Sequence, residues 1–180
     1  MTGVRALFGK RRANLQVCRR QARLKPRPTS VLKRTLVACV LIAGCGPRQP
    51  VQPVPFDAAH EPCRFCRMVG STGRFAAEIV APGEEPLFFD DIGCLRTYLA
   101  GTPSLARGSR AFVVDHRTGS WIEAGDALYT ENAGVDTPMN SHLLAHESIG
   151  SRNADPEAGA ATPRPASDVF KGVPLPDGAV

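Results

Sequence analysis

The segment EPCRFCRMVG, residues 61–70, places Cys63, Cys66 and Met68 in one short run. Such a set can serve as a redox pair, as half of a zinc site, or as soft ligands for a thiophilic metal. A thioredoxin-like pair opens a helix whose dipole lowers the thiol pKa, but here Gly70 and Gly73 follow and break any such helix. A structural zinc site wants four ligands, and only Cys94 and scattered histidines remain to supply them. Met68 ranks the third use first. A thioether is a poor zinc ligand, whereas Cu(I) is a soft cation that takes thiolate and thioether sulfur.

Which chemistry applies depends on the compartment, and the charge distribution bears on that. Residues 1–45 carry eleven Lys/Arg and no Asp or Glu, so the remaining chain holds eleven basic against seventeen acidic residues, a net charge of −6. The basic character belongs to the leader. The body lacks the basic patch that a nucleic-acid backbone requires, which excludes that partner class. Lys33 and Arg34 precede an apolar run from Leu36 to Ala43, too short to span a bilayer but of signal-peptide length. The tetrad IAGC at residues 42–45 resembles a bacterial lipobox, which makes Cys45 the expected lipidation site and residues 1–44 the leader. Basic residues spread over the first thirty positions do not fit a compact signal, so translation is expected to begin near Val31. Residues 45–57 then form a Pro-rich tether. Cys18 and Cys39 leave with the leader and Cys45 carries lipid, so three thiols remain, Cys63, Cys66 and Cys94. An odd count in an exported protein means that at least one thiol is outside any internal disulfide.

The elements that must position these residues read as an α+β fold over residues 58–150. Alternation around Phe75, Ala77 and Ile79, a turn at Pro82-Gly83, and Leu87 to Phe89 predict a strand, turn and strand. Asp90 or Asp91 then caps a short helix, IGCLRTYLAG, that ends at Gly101. The theme is expected to recur with strands at Ala111 to Val114 and Ser120 to Glu123, an extended ALYTE, and a helix with Thr137 as N-cap and Pro138 at its first position. Two small strand-strand-helix halves result. Residues 151–180, with five prolines and little apolar periodicity, read as a disordered tail.

On a strand, Cys66 and Met68 at i and i+2 project from one face. A third ligand must come from elsewhere, and Met139 is the other methionine after the leader. If its segment is helical, His142 and His146 follow on the same stripe. Taken singly, Met139 is an ordinary core filler, Cys94 a buried small apolar group, and His60 and His116 solvated residues of a linker and a turn.

With CRFCRM, FFDDIGCLRTYLAG, AFVVDHRTGSWIEAGDALY and TPMNSHLLAHES in view, residues 58–148 resemble the NosL family. These are copper-binding accessory lipoproteins of nitrous oxide reductase maturation. The resemblance implies a membrane-anchored Cu(I) metallochaperone facing the periplasm, built from two ββαβ halves. It also implies no enzymatic activity, and delivery of copper to the membrane transporter machinery that assembles the enzyme. The family's metal-associated positions fall on Cys66, Met68 and Met139, with Cys63 an auxiliary thiol and His142 a possible further ligand. The chain departs from the family where its tail replaces the closing helix and strand, which leaves completion of the second half open. His146 stands where an apolar residue is expected, as an added ligand or the mark of a loosened core. The competing functions are a thiol-disulfide oxidoreductase using Cys63 and Cys66, and a carrier of another thiophilic metal.

Overall fold

The structure, a computed structural model, describes residues 50–69 and 72–178. The leader, the start near Val31 and the lipidation site Cys45 lie outside the described residues. β1 (Ala77–Val80) is central in its half, pairing antiparallel with β2 (Leu87–Phe89) on one side and with β3 (Arg110–Val114) on the other. β4 (Trp121–Glu123) extends the sheet beyond β3, so the order is β2-β1-β3-β4. Between β2 and β3 runs α1 (Ile92–Gly101), whose N-cap Asp91 accepts the Gly93 N–H. Its apolar residues Ile92, Leu95 and Leu99 recur at helical spacing and are buried against the sheet.

The second sheet repeats that plan. β5 (Leu128–Glu131) is central, flanked by β6 (Leu143–His146) and by β7 (Arg164–Pro165), with α2 (Ile149–Asn153) between the flanking strands. Thus β1-β2-α1-β3 and β5-β6-α2-β7 have the same order and the same antiparallel pairing. The sheets share one core, in which Ile79, Phe89, Leu95 and Val113 of the first half meet Tyr129, Leu143 and Ala145 of the second. The His116 N–H donates to the Ala145 carbonyl at 2.8 Å, tying the end of β3 to β6.

Three expectations are corrected. The strands expected to open the second half are β3 and β4, and both belong to the first sheet. The helix expected from Thr137 does not form. Thr137 does accept N–H bonds from Ser141 and His142 through its hydroxyl, but Asn140 and His142 both take left-handed backbone angles, and the next four residues pair with β5. That conformation cannot propagate a right-handed helix. The tail expected to be disordered is folded over its described residues, 151–178. It supplies the end of α2, a 3-10 turn at Pro156–Ala158, β7 and α3 (Ala166–Val169), and buries Ala158, Ala166, Val169 and Phe170. Phe170 lies edge-on to Tyr129 with ring centroids 5.6 Å apart. Tertiary burial of a few apolar residues thus overrides a composition poor in local periodicity.

The fold also reaches back before residue 58. The Val54 N–H donates to Glu78 at 3.0 Å and Phe56 packs on Phe88, so the end of the tether covers the outer face of the first sheet. Glu78 is fully buried there, its second carboxylate oxygen has no hydrogen-bond partner among the described residues, and burial pushes its carboxyl up to about 7. Because the folded pKa lies above the unfolded one, the fold favours the neutral acid. Stability should therefore fall as pH rises from about 4.5 through about 7, by on the order of 3 kcal/mol. Glu78→Gln is expected to flatten that decline. Melting temperature measured across this pH range checks it, and an equally steep decline in the variant would refute the assignment.

Candidate metal centre

Cys63 and Cys66 lie on a tight loop, not on a strand. The Cys63 N–H donates to the Met68 carbonyl at 2.8 Å and the Arg67 N–H to the Cys63 carbonyl at 3.0 Å, with Arg67 in the left-handed region at φ 66°. A bridge between Pro62 and Val69 closes the base of the loop. The Arg64 N–H donates to the Phe88 carbonyl at 2.6 Å, which fastens the loop beside the end of β2. The next residues of the chain there are Asp90 and Asp91, and α1 brings Cys94 to the same place in its first turn.

The result is a compact donor set. The sulfurs of Cys63, Cys66 and Cys94 and a carboxylate oxygen of Asp90 all lie within 4.8 Å of one another. Two ligands each about 2.3 Å from one ion sit about 4 Å apart, so the cluster needs little rearrangement to enclose a metal. The Cys66 thiol lies 3.5 and 3.6 Å from the two Asp90 oxygens. Cys63 and Cys94 are each 1% exposed and Cys66 is half-buried; all three are reduced. A hydrogen bond from the Cys94 thiol draws the Cys63 pKa down to about 6, and the same bond together with burial raises that of Cys94. Burial pushes Cys66 up to about 11. Cys63 is therefore the thiolate near neutrality, and the other two thiols shed protons as a metal binds.

Two methionines belong to the segments that carry or adjoin this cluster. Met68 sits at the end of the same loop and is 47% exposed. Met139 lies in the turn after Pro138, where its N–H donates to Asp91 at 3.0 Å. It lines a cavity of about 190 Å³ together with Phe65, Cys94 and Arg96. The approach of that turn to α1 is close, since a Cβ on Gly93 would stand 2.7 Å from the Ser141 Cβ. His142 donates from Nδ1 to the Val135 carbonyl at 2.8 Å and is not among the clustered donors.

Asp90 and Cys94 were expected to be a helix cap and a buried apolar group. The signal for Cys94 was the odd thiol count, because a third reduced cysteine needs a role that no disulfide supplies; for Asp90 the sequence carried none. His116 and His146 are likewise not as expected. Neither is solvated or beside the sulfur cluster; both are buried around Asp155, at 2.6 and 3.0 Å.

Fold and cluster together define a small α+β protein with two ββαβ repeats and a thiol-rich candidate metal centre. No family model matches the sequence, and no curated protein matches it. Among solved structures the chain is similar to the crystal structure of the copper chaperone NosL from Shewanella denitrificans, with a TM-score of 0.53 and 13% sequence identity. The match covers 67% of this chain and 97% of that one. At that identity the likeness establishes a shared fold.

Proposed function

We propose that the protein is a Cu(I) carrier, with the cluster of Cys63, Cys66, Cys94 and Asp90 as the observation that carries the reading. Three sulfurs converging on one point suit a soft monovalent cation, and the fold shared with a copper chaperone supports the same choice. The thiolates of Cys63, Cys66 and Cys94 form the inner set. Met68 and Met139, exposed at the rim, act as entry and exit ligands, and transfer proceeds by exchange of one sulfur ligand for another. A redox enzyme is disfavoured because Cys63, the thiol with the lowered pKa and so the nucleophile, is 1% exposed and closed to a protein disulfide.

The reading extends to the cell. A lipidated Cys45 anchors the chain to a membrane with its body facing the periplasm. From there it passes copper to the membrane transporter machinery that matures a copper enzyme, with nitrous oxide reductase as eventual client. Purified full chain, reduced and anaerobic, is to be titrated with Cu(I) against a chromophoric chelator. One equivalent should be held against the chelator while Zn(II) is displaced from the sulfur cluster by Cu(I). Preferential retention of Zn(II) by the thiols would refute the copper assignment. Disulfide reductase activity requiring Cys63 and Cys66 would favour the enzyme.

A further inference from the structure

Where the β3–β4 turn of the first sheet meets the second repeat lies a donor cluster that the copper reading does not use. His116 lies in the turn after β3, His146 ends β6, and Asp155 follows α2; all three side chains are buried, with the two imidazoles fully so. Both rings address the same carboxylate oxygen, His116 through Nδ1 at 2.6 Å and His146 through Nε2 at 3.0 Å. One candidate ligand atom from each residue falls within 4.8 Å of the others.

We propose that His116, His146 and Asp155 form a second metal site, selective for a divalent cation of the zinc class and separate from the sulfur cluster. Two imidazoles and a carboxylate are the nitrogen and oxygen set that such ions take, whereas Cu(I) favours sulfur.

The surroundings of the triad support a cation at its centre. Without one, neutral rings must carry their protons on the inner nitrogens in order to donate to Asp155. His116 Nε2 and His146 Nδ1 are then bare acceptors, and both are buried with no hydrogen-bond partner among the described residues. His116 Nε2 faces Glu157 Oε2 at 3.6 Å, so one acceptor confronts another. A cation held by the inner nitrogens moves each ring proton to the outer nitrogen, with no net proton loss. His116 Nε2 then points an N–H at Glu157, the relation by which an outer carboxylate orients a metal-bound imidazole. Glu157 is steered by Arg74 at 2.6 Å, and the same guanidinium lies 3.5 Å from His116 Nδ1 and from the His116 carbonyl, its charge met by Glu157.

The duplicated fold gives an independent reason. His146 is the register partner of Leu128 in β5, as Phe89 is of Ala77 in β1. In each repeat, donors lie close to the helix that follows the second strand. Asp90 and Cys94 stand at the start of α1, while His146 and Asp155 lie on either side of α2 and are joined by His116 from the β3–β4 turn. The two clusters differ in donor softness.

The probe is Co(II), with the full chain purified in detergent, stripped of metal, and its thiols occupied with Ag(I). Uptake of one equivalent is expected, with d–d absorption and no thiolate-to-cobalt charge transfer, reversed by added Zn(II). Loss of an outer-sphere partner alone costs about 10- to 100-fold in metal affinity, so His116→Gln and His146→Gln should each weaken uptake by at least 100-fold. If either variant fails to fold, the Ag(I)-loaded parent chain still decides the matter, since Zn(II) must raise its melting temperature. No Co(II) uptake by the folded parent, a charge-transfer band placing cobalt on sulfur, or uptake unchanged in both histidine variants would overturn the proposal. Cu(I) retention by the sulfur cluster is read separately and does not depend on any of these results.

Discussion

Cys94→Ala is expected to weaken Cu(I) retention by about 100-fold or more, against about tenfold for Met68→Ala. The first figure is a lower bound, because even outer-sphere changes at metal sites cost about 10- to 100-fold and Cys94 is placed among the ligands. Met68 is 47% exposed at the rim of the loop, whereas the Cys94 sulfur stands within 4.8 Å of the other two thiols and Asp90. A thioether at the surface contributes to capture, and its loss is more visible in the rate of transfer than in equilibrium affinity. Competition against a Cu(I) chelator, with folding checked by circular dichroism, separates the two variants. Equal losses, or a larger loss in Met68→Ala, would return the inner set to Cys66, Met68 and Met139.

The second large effect is on stability. Asp115 is fully buried where β3 leaves the first sheet, and its two oxygens accept from four groups. Oδ1 takes the Arg117 and Thr118 N–H bonds at 3.0 and 2.9 Å; Oδ2 takes the Glu147 N–H and the Ser151 hydroxyl, both at 2.8 Å. One carboxylate therefore shapes the β3–β4 turn and holds the start of the second repeat's helix. Asp115→Ala strands all four donors and should cost about 3–5 kcal/mol, a large share of the ~5–15 kcal/mol typical of a small domain. Urea denaturation checks this, with a lower midpoint and an unchanged slope expected. Asp115→Asn keeps two acceptor sites and should recover part of the loss. Burial works against the charge, but the Glu147 and Thr118 N–H groups and the Ser151 hydroxyl outweigh it and hold the carboxyl below its ordinary range. A depressed pKa makes this stabilisation complete above about pH 4 and removes it as pH falls through the folded value. The acid limb of the stability profile should accordingly be shallower in Asp115→Ala.

The first repeat was legible because its signals are local. Alternation around Ala77 and Ile79, the Pro82-Gly83 turn and the Asp91 cap each act within a few residues, and β1, β2 and α1 follow them closely. The second repeat was not, because its decisive contacts are distant in sequence. At Thr137 the hydroxyl accepts from the Ser141 and His142 amides in place of capping a helix, and pairing of Leu143–His146 with β5 decides the outcome. Within residues 151–178 short apolar stretches gain order only by covering Tyr129 and its neighbours, which no window of the sequence reveals. The candidate site divides in the same way. Cys63 and Cys66 announce themselves by spacing, while Asp90 and Cys94 join them through tertiary contacts such as the Arg64 N–H bond to the Phe88 carbonyl.

Asp91 joins two parts of the molecule that are 48 positions apart in sequence. One oxygen caps α1 through Gly93 at 2.6 Å, and the other holds the Met139 N–H at 3.0 Å. Release of the Met139 turn breaks only the second bond, so the amide proton of Met139 can exchange with solvent while that of Gly93 stays protected. The ratio of the two deuteration rates is then a built-in gauge of how often the rim of the cavity opens, independent of fraying of the helix beneath it.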